Sequence, residues 1–195
     1  MQALALIDYD NVVPIEDKRP AAEFEHSLYQ IKDKVLEYLR LHISQISEVE
    51  MRFYGGWRDE QGNLTLKANH LTFYLPAIRG LYNGVRVKPS MAMQLASFPS
   101  RELNGTLRVN GKKRGQKMVD TMMTADAFHL ADSPYNALLV LSDDDDLLPA
   151  AVTVSSRGCF NRAVHVLRKR ASGTGLNDDI YLSSGSYLSV HGIIV

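Results

Sequence analysis

The chain contains 195 residues, with 22 Lys or Arg, 22 Asp or Glu, six His and one Cys. This length suits one α/β domain over residues 1–195 with a sizeable core. One cysteine excludes an internal disulfide framework and a cysteine-rich zinc site. No apolar run approaches the ~20 residues that span a bilayer, and no basic region precedes the first acids. We therefore expect no membrane span, no signal peptide and a cytoplasmic location.

Apolar runs and amphipathic segments alternate along the chain. Short continuous apolar runs are typical of buried strands, and apolar residues at helical spacing are typical of helices packed on a sheet. In chain order the pattern predicts a strand over 3–7, a helix over 23–42, a strand over 49–54, a helix over 66–75, a strand over 85–88, a helix over 118–130, a strand over 137–141, a helix over 145–156 and strands over 163–167 and 193–195.

Strands that alternate with helices predict an α/β fold with a mainly parallel central sheet flanked by helices. Residues 89–116 interrupt this alternation. Within them, the apolar stretch 107–109 is followed by Asn110 and Gly111, which is typical of half of a β-hairpin. We therefore predict a β-rich or flexible basic insertion at 89–116, within a single domain.

Acidic residues gather where predicted strands end and where a central helix begins. They are Asp8 and Asp10 after the first strand, Asp120 and Asp126 in the helix over 118–130, and residues 143–146 after the strand over 137–141. The carboxyl ends of parallel strands meet at one edge of a sheet, and converging carboxylates raise one another's pKa values. Each group also has an ordinary alternative as a turn cap, helix cap or acidic first turn. Together they favour a site for Mg²⁺ or Mn²⁺, since these ions prefer carboxylate ligands.

The order and spacing of these polar residues resemble the motifs of NYN domains, which belong to the PIN-like nuclease superfamily. The resemblance covers residues 3 to about 168. Its three motifs are D-x-x-N at Asp8 and Asn11, K-x-x-D followed six residues later by Asp at Lys117, Asp120 and Asp126, and S-x-D-x-D-x-x-P at Ser142, Asp144, Asp146 and Pro149.

This resemblance implies a Rossmann-like PIN/NYN fold that uses Mg²⁺ or Mn²⁺ to activate a water and hydrolyse RNA phosphodiesters. By motif, the metal-binding and catalytic acids are Asp8, Asp120 and Asp144, with Asp146 as a fourth. Asn11 and Ser142 then support the acids or position the substrate, and Lys117 lies near the scissile phosphate. Asp126 fits the motif but lies a turn and a half beyond Asp120, so that it can face elsewhere.

Charge is distributed unevenly along the chain. Residues 101–117 hold six basic residues and one acid, 118–156 hold seven aspartates and no Lys or Arg, and 157–170 hold five basic residues and no acid. Basic residues beside an acidic site suit a metal-dependent nuclease, because they hold the phosphate backbone while the acids hold the metal. The expected partner is RNA, single-stranded or structured, or single-stranded DNA. The expected phosphate contacts are Lys112, Lys113, Arg114, Arg157 and Arg162.

Two other functions fit parts of the pattern. Asp8 and Asp10 also match the D-x-D nucleophile and acid of haloacid-dehalogenase-like phosphatases. Against that reading, the second strand ends in Tyr54-Gly55-Gly56, without the Ser or Thr that those enzymes use. The third interpretation is a non-catalytic NYN-like module that binds RNA. No G-x-G-x-x-G motif follows the first strand, which argues against a dinucleotide-binding enzyme.

Overall fold

A computed structural model describes residues 1–13, 21–43, 45–110, 113–131, 134–157, 163–168 and 188–192. Within these ranges the chain forms a seven-stranded sheet and a separate two-stranded hairpin. The strands are β1 (Gln2–Asp8), β2 (Glu48–Tyr54), β3 (Gly80–Tyr82), β4 (Val85–Met91), β5 (Leu107–Asn110), β6 (Lys113–Gln116), β7 (Ala137–Leu141), β8 (Ala163–Arg168) and β9 (Leu188–Gly192).

The order of strands in the large sheet is β3-β4-β2-β1-β7-β8-β9. Only β3 is antiparallel to its neighbour; the pairs from β4 to β9 are all parallel. β1 occupies the middle, between β2 and β7. The predicted mixed α/β architecture with a mostly parallel sheet flanked by helices is confirmed.

Helices cover both faces of this sheet. They are α1 (Tyr9–Val12), α2 (Ala21–His42), α3 (Leu66–Tyr74), α4 (Val119–Leu130) and α5 (Leu148–Ser156), with short 3₁₀ helices at Leu75–Ile78 and Asp145–Leu147. Because side chains alternate across a strand, Ala5 and Ile7 of β1 enter the core beneath α2 and α3, whereas Leu4 and Leu6 enter the core beneath α4 and α5. Burial on both faces explains why β1 and β7 are continuous apolar runs.

Strand β4 is longer than predicted, because the sequence interpretation ended it before Pro89. Proline lacks the N–H that a strand ladder requires. Here Arg86 donates its N–H to Ser47 O at 2.9 Å, on the β2 side. By alternation the nitrogen of Pro89 points to the opposite side, where the pairing with β3 has already ended at Val87. No ladder hydrogen bond is therefore lost at Pro89.

Three other boundaries differ from the prediction. The insertion predicted at 89–116 begins too early, since residues 89–91 belong to β4; its hairpin is confirmed as β5 and β6. The helix predicted over 145–156 begins as a 3₁₀ turn and becomes α-helical at Leu148. The strand predicted over 193–195 lies outside the described residues, and β3 and β9 were not predicted. In the described parts of the chain, no helix combines the length and apolar character needed to cross a membrane.

Candidate acidic site at the carboxyl edge of the sheet

Asp8 is the last residue of β1 and is fully buried, with 0% of its surface exposed. One carboxylate oxygen, Oδ2, accepts hydrogen bonds from Asn11 Nδ2 at 2.7 Å and from Ser142 Oγ at 2.9 Å. The other, Oδ1, is buried without a hydrogen-bond partner. Burial raises the pKa of Asp8, the Asn11 and Ser142 bonds oppose that rise, and the charge of Asp144 adds to it. One oxygen of Asp8 is thus fixed, and the other is left without a donor.

The loop after β7 lies beside Asp8. The backbone N–H of Ser142 donates to Leu167 O at 3.1 Å, which joins the end of β7 to β8. Ser142 Oγ then accepts from the N–H of Asp144 at 3.0 Å, and Asp144 Oδ1 accepts from the N–H of Asp146 at 2.9 Å. Asp144 therefore caps the 3₁₀ turn, and Asp145 and Asp146 lie in its first turn, in keeping with the acidic first turn that was the ordinary alternative for this segment. Asp146 is exposed at the surface of the loop.

Asp120 lies in the first turn of α4 and approaches the same acids. Its Oδ1 is buried without a hydrogen-bond partner. Burial, followed by the charges of Asp8, Asp144 and Asp146, raises the pKa of Asp120 from 3.8 to about 6. The four predicted acids thus share one electrostatic environment, at the edge where parallel strands end.

The start of α4 is held in an uncommon backbone conformation. Met118 precedes the helix with a φ of 65°, in the left-handed region that disfavours side chains with a Cβ. Just before it, the N–H of Lys117 donates to Thr106 O at 2.8 Å, next to the β5–β6 hairpin. Lys117 is exposed. This backbone geometry sets where Asp120 enters the site.

Asp126 belongs to a different cluster, although it fits the second motif. Its carboxylate is fully buried and accepts from Arg52 Nε at 3.0 Å, Tyr54 Oη at 2.7 Å and the N–H of Ala96 at 2.7 Å. Arg52 also donates to Gln94 O at 2.7 Å. Asp126 thus joins α4 to β2 and to the chain that follows β4, and it faces away from Asp120 as anticipated.

Asp10 contacts α3 and the segment after β2, and the charge of its partner Lys67 also acts on Asp8. It forms a buried ion pair with Lys67 of α3, and its Oδ2 accepts the N–H of Gly56 at 2.8 Å. Both of its oxygens are engaged in joining β1 to the segment between β2 and α3. The phosphatase interpretation needs Asp10 as a mobile acid, and this pairing argues against it. Lys67 was not singled out from the sequence, where it is an ordinary polar residue of a predicted helix.

Arg168, the last residue of β8, was also missed from the sequence. It is fully buried, and its guanidinium contacts Asp145 Oδ1 at 2.8 Å and the carbonyl oxygen of Asp143 at 3.2 Å. In the sequence it is one of the five basic residues of the 157–170 stretch, of which only Arg157 and Arg162 are predicted to contact phosphate. A basic residue at the end of a buried strand, beside an acidic loop, was the signal available.

The predicted phosphate-binding residues are less completely described. Lys112 and Arg162 lie outside the described residues. Lys113 and Arg114 are on β6, but their side chains are not among the described ones. Arg157 follows α5 and is exposed, with its guanidinium 5.3 Å from the ring centre of Phe128. The nucleic-acid surface thus stays a prediction.

No set of three His, Cys, Asp or Glu side chains within the described ranges is arranged to hold a metal ion as it stands. The acids approach one another closely enough to shift the pKa of Asp120, but not as a closed ligand cage. Two of them nevertheless present a buried oxygen without a donor, at Asp8 and Asp120. Those atoms are the ones that a cation would satisfy.

Comparison with known proteins identifies no family. No family model matches the chain, and no curated protein matches it. Among solved structures, a protein of unknown function from Vibrio parahaemolyticus is similar, with 14% sequence identity and a TM-score of 0.46. That match covers 98% of this chain and 92% of the other. It carries no information on activity.

Proposed function

We propose that this protein is a Mg²⁺- or Mn²⁺-dependent nuclease, an endoribonuclease of the PIN-like type, that hydrolyses RNA phosphodiesters. The observation that carries the proposal is the pair of buried carboxylate oxygens without donors, Asp8 Oδ1 and Asp120 Oδ1. Unpaired buried carboxylates are costly, because desolvation disfavours their charged form. Such groups are uncommon in folded proteins, and a bound ion is one of the ways in which they are satisfied.

The donor set suits a hard divalent cation. Asp8, Asp120 and Asp144 would hold the ion, with Asp146 as a fourth ligand from the exposed side of the loop. Carboxylate oxygens are the ligands that Mg²⁺ and Mn²⁺ prefer, and a partly open set leaves room for water and phosphate oxygens. When bound, the ion supplies Lewis-acid activation of water and neutralises charge on the phosphate.

The protein's own side chains prepare the acids for this role. Ser142 and Asn11 both donate to Oδ2 of Asp8, so that the carboxylate plane is fixed and Oδ1 is the oxygen left for a ligand. Ser142 also accepts from the N–H of Asp144, which couples the two acids through one hydroxyl. The exposed Lys117, three residues before Asp120, supplies positive charge for the substrate phosphate.

The direct test is incubation of an end-labelled single-stranded RNA with the protein in Mn²⁺, Mg²⁺ or EDTA. We expect internal cleavage with either metal, none in EDTA, and loss of cleavage in Asp8→Asn and Asp144→Asn. The matched control is Asp33→Asn, because Asp33 lies on α2 with 66% of its side chain exposed; its activity should equal that of the wild type.

Two other outcomes would replace the proposal. RNA binding without turnover in either metal would make the protein a binding module. Hydrolysis of a small phosphomonoester, lost in both Asp8→Asn and Asp10→Asn, would make it a phosphatase. A parallel assay with single-stranded DNA distinguishes a ribonuclease from a nuclease that cleaves both RNA and DNA.

A further inference from the structure

Arg168 lies at the centre of a set of contacts that the proposed chemistry does not use. It ends β8, next to β7, and none of its surface is exposed. Burying a guanidinium is expensive unless its charge and donors are satisfied. A solvent-exposed phosphate-binding role would not require this burial, so the buried position needs another explanation.

The contacts of Arg168 lie on the two sides of Asp144. Nη1 donates to the carbonyl oxygen of Asp143 at 3.2 Å, and Nη2 pairs with Asp145 Oδ1 at 2.8 Å. The residues immediately before and after Asp144 are thus held by one rigid, planar group. Lysine could not reproduce this, since it lacks a fixed fork of donors.

From this loop the contacts continue to Asp8. The N–H of Asp144 donates to Ser142 Oγ, which itself donates to Asp8 Oδ2. The N–H of Ser142 donates to Leu167 O, in the residue that precedes Arg168. The end of β8 thus holds the acidic loop through backbone and side-chain contacts at Ser142, Asp143 and Asp145.

We propose that Arg168 is a positioning residue that orients Asp144 for binding of the divalent cation, acting through Asp143 and Asp145. This inference rests on the proposed function, since it assigns Asp144 to the metal. Arg168 itself touches neither metal nor substrate in this role. Its effect is to restrict the acidic loop to one conformation before the cation arrives, which lowers the entropic cost of ordering the ligands.

The test measures Mn²⁺ affinity directly, from the free Mn²⁺ signal in electron paramagnetic resonance titrations. Asp145→Asn is the main variant, because 29% of the Asp145 side chain is exposed and the change conserves its size. We expect its dissociation constant for Mn²⁺ to rise about tenfold. Arg168→Lys should shift it in the same direction. Arg86→Lys, on the exposed side of β4, is the matched control and should leave it unchanged.

A second measurement needs no metal. The amides of Asp144 and Asp146 are hydrogen-bonded within the loop. In Asp145→Asn their hydrogen exchange should be at least about tenfold faster, whereas exchange in β1 should stay unchanged.

A third measurement is the Mn²⁺ dependence of RNA cleavage. We expect the rate of Asp145→Asn to be reduced at low Mn²⁺ and to be recovered at saturating Mn²⁺. A purely structural role would not produce that recovery.

The outcomes separate this inference from the proposed function. Folded Asp145→Asn with wild-type Mn²⁺ affinity and wild-type exchange would overturn the positioning role, even if the protein cleaves RNA. Weakened Mn²⁺ binding together with faster exchange of the Asp144 and Asp146 amides, in a protein that cleaves no RNA, would support the positioning role and overturn the nuclease. Weakened binding with wild-type exchange would reflect only the lost charge of Asp145 and would overturn the positioning role. Absence of Mn²⁺ binding by the wild type would overturn both. If Arg168→Lys does not fold, Asp145→Asn alone decides.

Discussion

Two aspartates on one helix, Asp120 and Asp126, have opposite environments. Asp126 is fully buried and accepts three hydrogen bonds, one of them from a guanidinium. Asp120 has a buried oxygen without a hydrogen-bond partner, and burial, together with the charges of three other carboxylates, raises its pKa to about 6. A carboxylate whose oxygens all accept hydrogen bonds holds secondary-structure elements together. A carboxylate that has an oxygen without a donor, and like charges around it, is suited to binding a ligand. The same residue type thus serves the fold at one turn of α4 and the site at another.

The largest effect should follow from removing the charge that faces the other acids. Asp120→Asn should lower RNA cleavage at least about a hundredfold, because the loss of a metal ligand removes several kcal/mol of transition-state stabilisation. Initial rates in Mn²⁺ with Asp33→Asn alongside would measure it. If Asp120→Asn cleaves RNA at the wild-type rate, Asp120 is not a metal ligand, and the functional difference between Asp120 and Asp126 is contradicted.

The complementary change at Asp126 should affect stability rather than chemistry. Asp126→Ala leaves Arg52 buried beside Tyr54 without its counter-charge, and breaking a buried pair in this way costs about 3 kcal/mol. Urea denaturation would measure the loss in the free energy of unfolding. The double variant Arg52→Met with Asp126→Asn should recover part of it, since it leaves no unpaired charge and the Asn side-chain oxygen still accepts from Tyr54 Oη or the N–H of Ala96. Equal instability of the double variant would contradict this explanation.

The raised pKa of Asp120 predicts a pH dependence in the metal-free protein. A carboxyl whose pKa rises from 3.8 to about 6 on folding binds its proton more tightly in the folded state. The stability that this bound proton contributes to the folded state is therefore lost as the pH rises from about 4 to 6, and it stays lost at higher pH. In EDTA at pH 7.5 we expect the free energy of unfolding of Asp120→Asn to be about 1 kcal/mol higher than that of the wild type. This figure allows for the partial exposure of the Asp120 side chain.

Equal stability at about pH 3 is the internal control for that comparison, because the Asp120 carboxyl is then largely protonated in both the folded and the unfolded protein. Added Mn²⁺ should reverse the order at pH 7.5, since it stabilises only the protein that binds it. A wild type that is more stable than Asp120→Asn in EDTA at pH 7.5 would show that Asp120 has a partner after all.

The smallest effect should come from the backbone at the start of α4. Met118→Gly relieves a left-handed conformation that costs roughly 1–2 kcal/mol, while the added freedom of the unfolded chain offsets about half of it. We expect a net stabilisation of about 0.5 kcal/mol by urea denaturation. Gly84→Ala places a side chain at a φ of 85° and is the converse control, expected to destabilise.

The alternation of apolar runs was enough to predict the α/β architecture. The continuous apolar run in β1 and the helical spacing in α2 are strong local signals, and both elements were found at the predicted places. β3 was missed because three residues carry too little pattern. Strand β4 was ended too early at Pro89, because the side on which its nitrogen lies depends on register and not on local sequence.

Only part of the candidate site could be predicted from the sequence. Asp8, Asp120, Asp144 and Asp146 were selected by motif, and the structure brings their charges into one environment. Lys67 was missed because nothing in its local sequence separates a buried cation from a solvated one, and Arg168 was missed although it ends a buried strand. Their importance lies in what they contact, Asp10 in one case and Asp145 in the other.

The amino-acid sequence by itself determined the class of fold and the set of acids, because hydrophobic periodicity and residue type are local properties. Only the tertiary structure decided which acids are paired. Asp10 and Asp126 are paired with Lys67 and Arg52, whereas Asp8 and Asp120 each retain an oxygen without a hydrogen-bond donor. Pairing depends on residues far apart in the chain that strand order brings together. The sequence specifies the charge of each aspartate, but the fold determines which residue pairs with it.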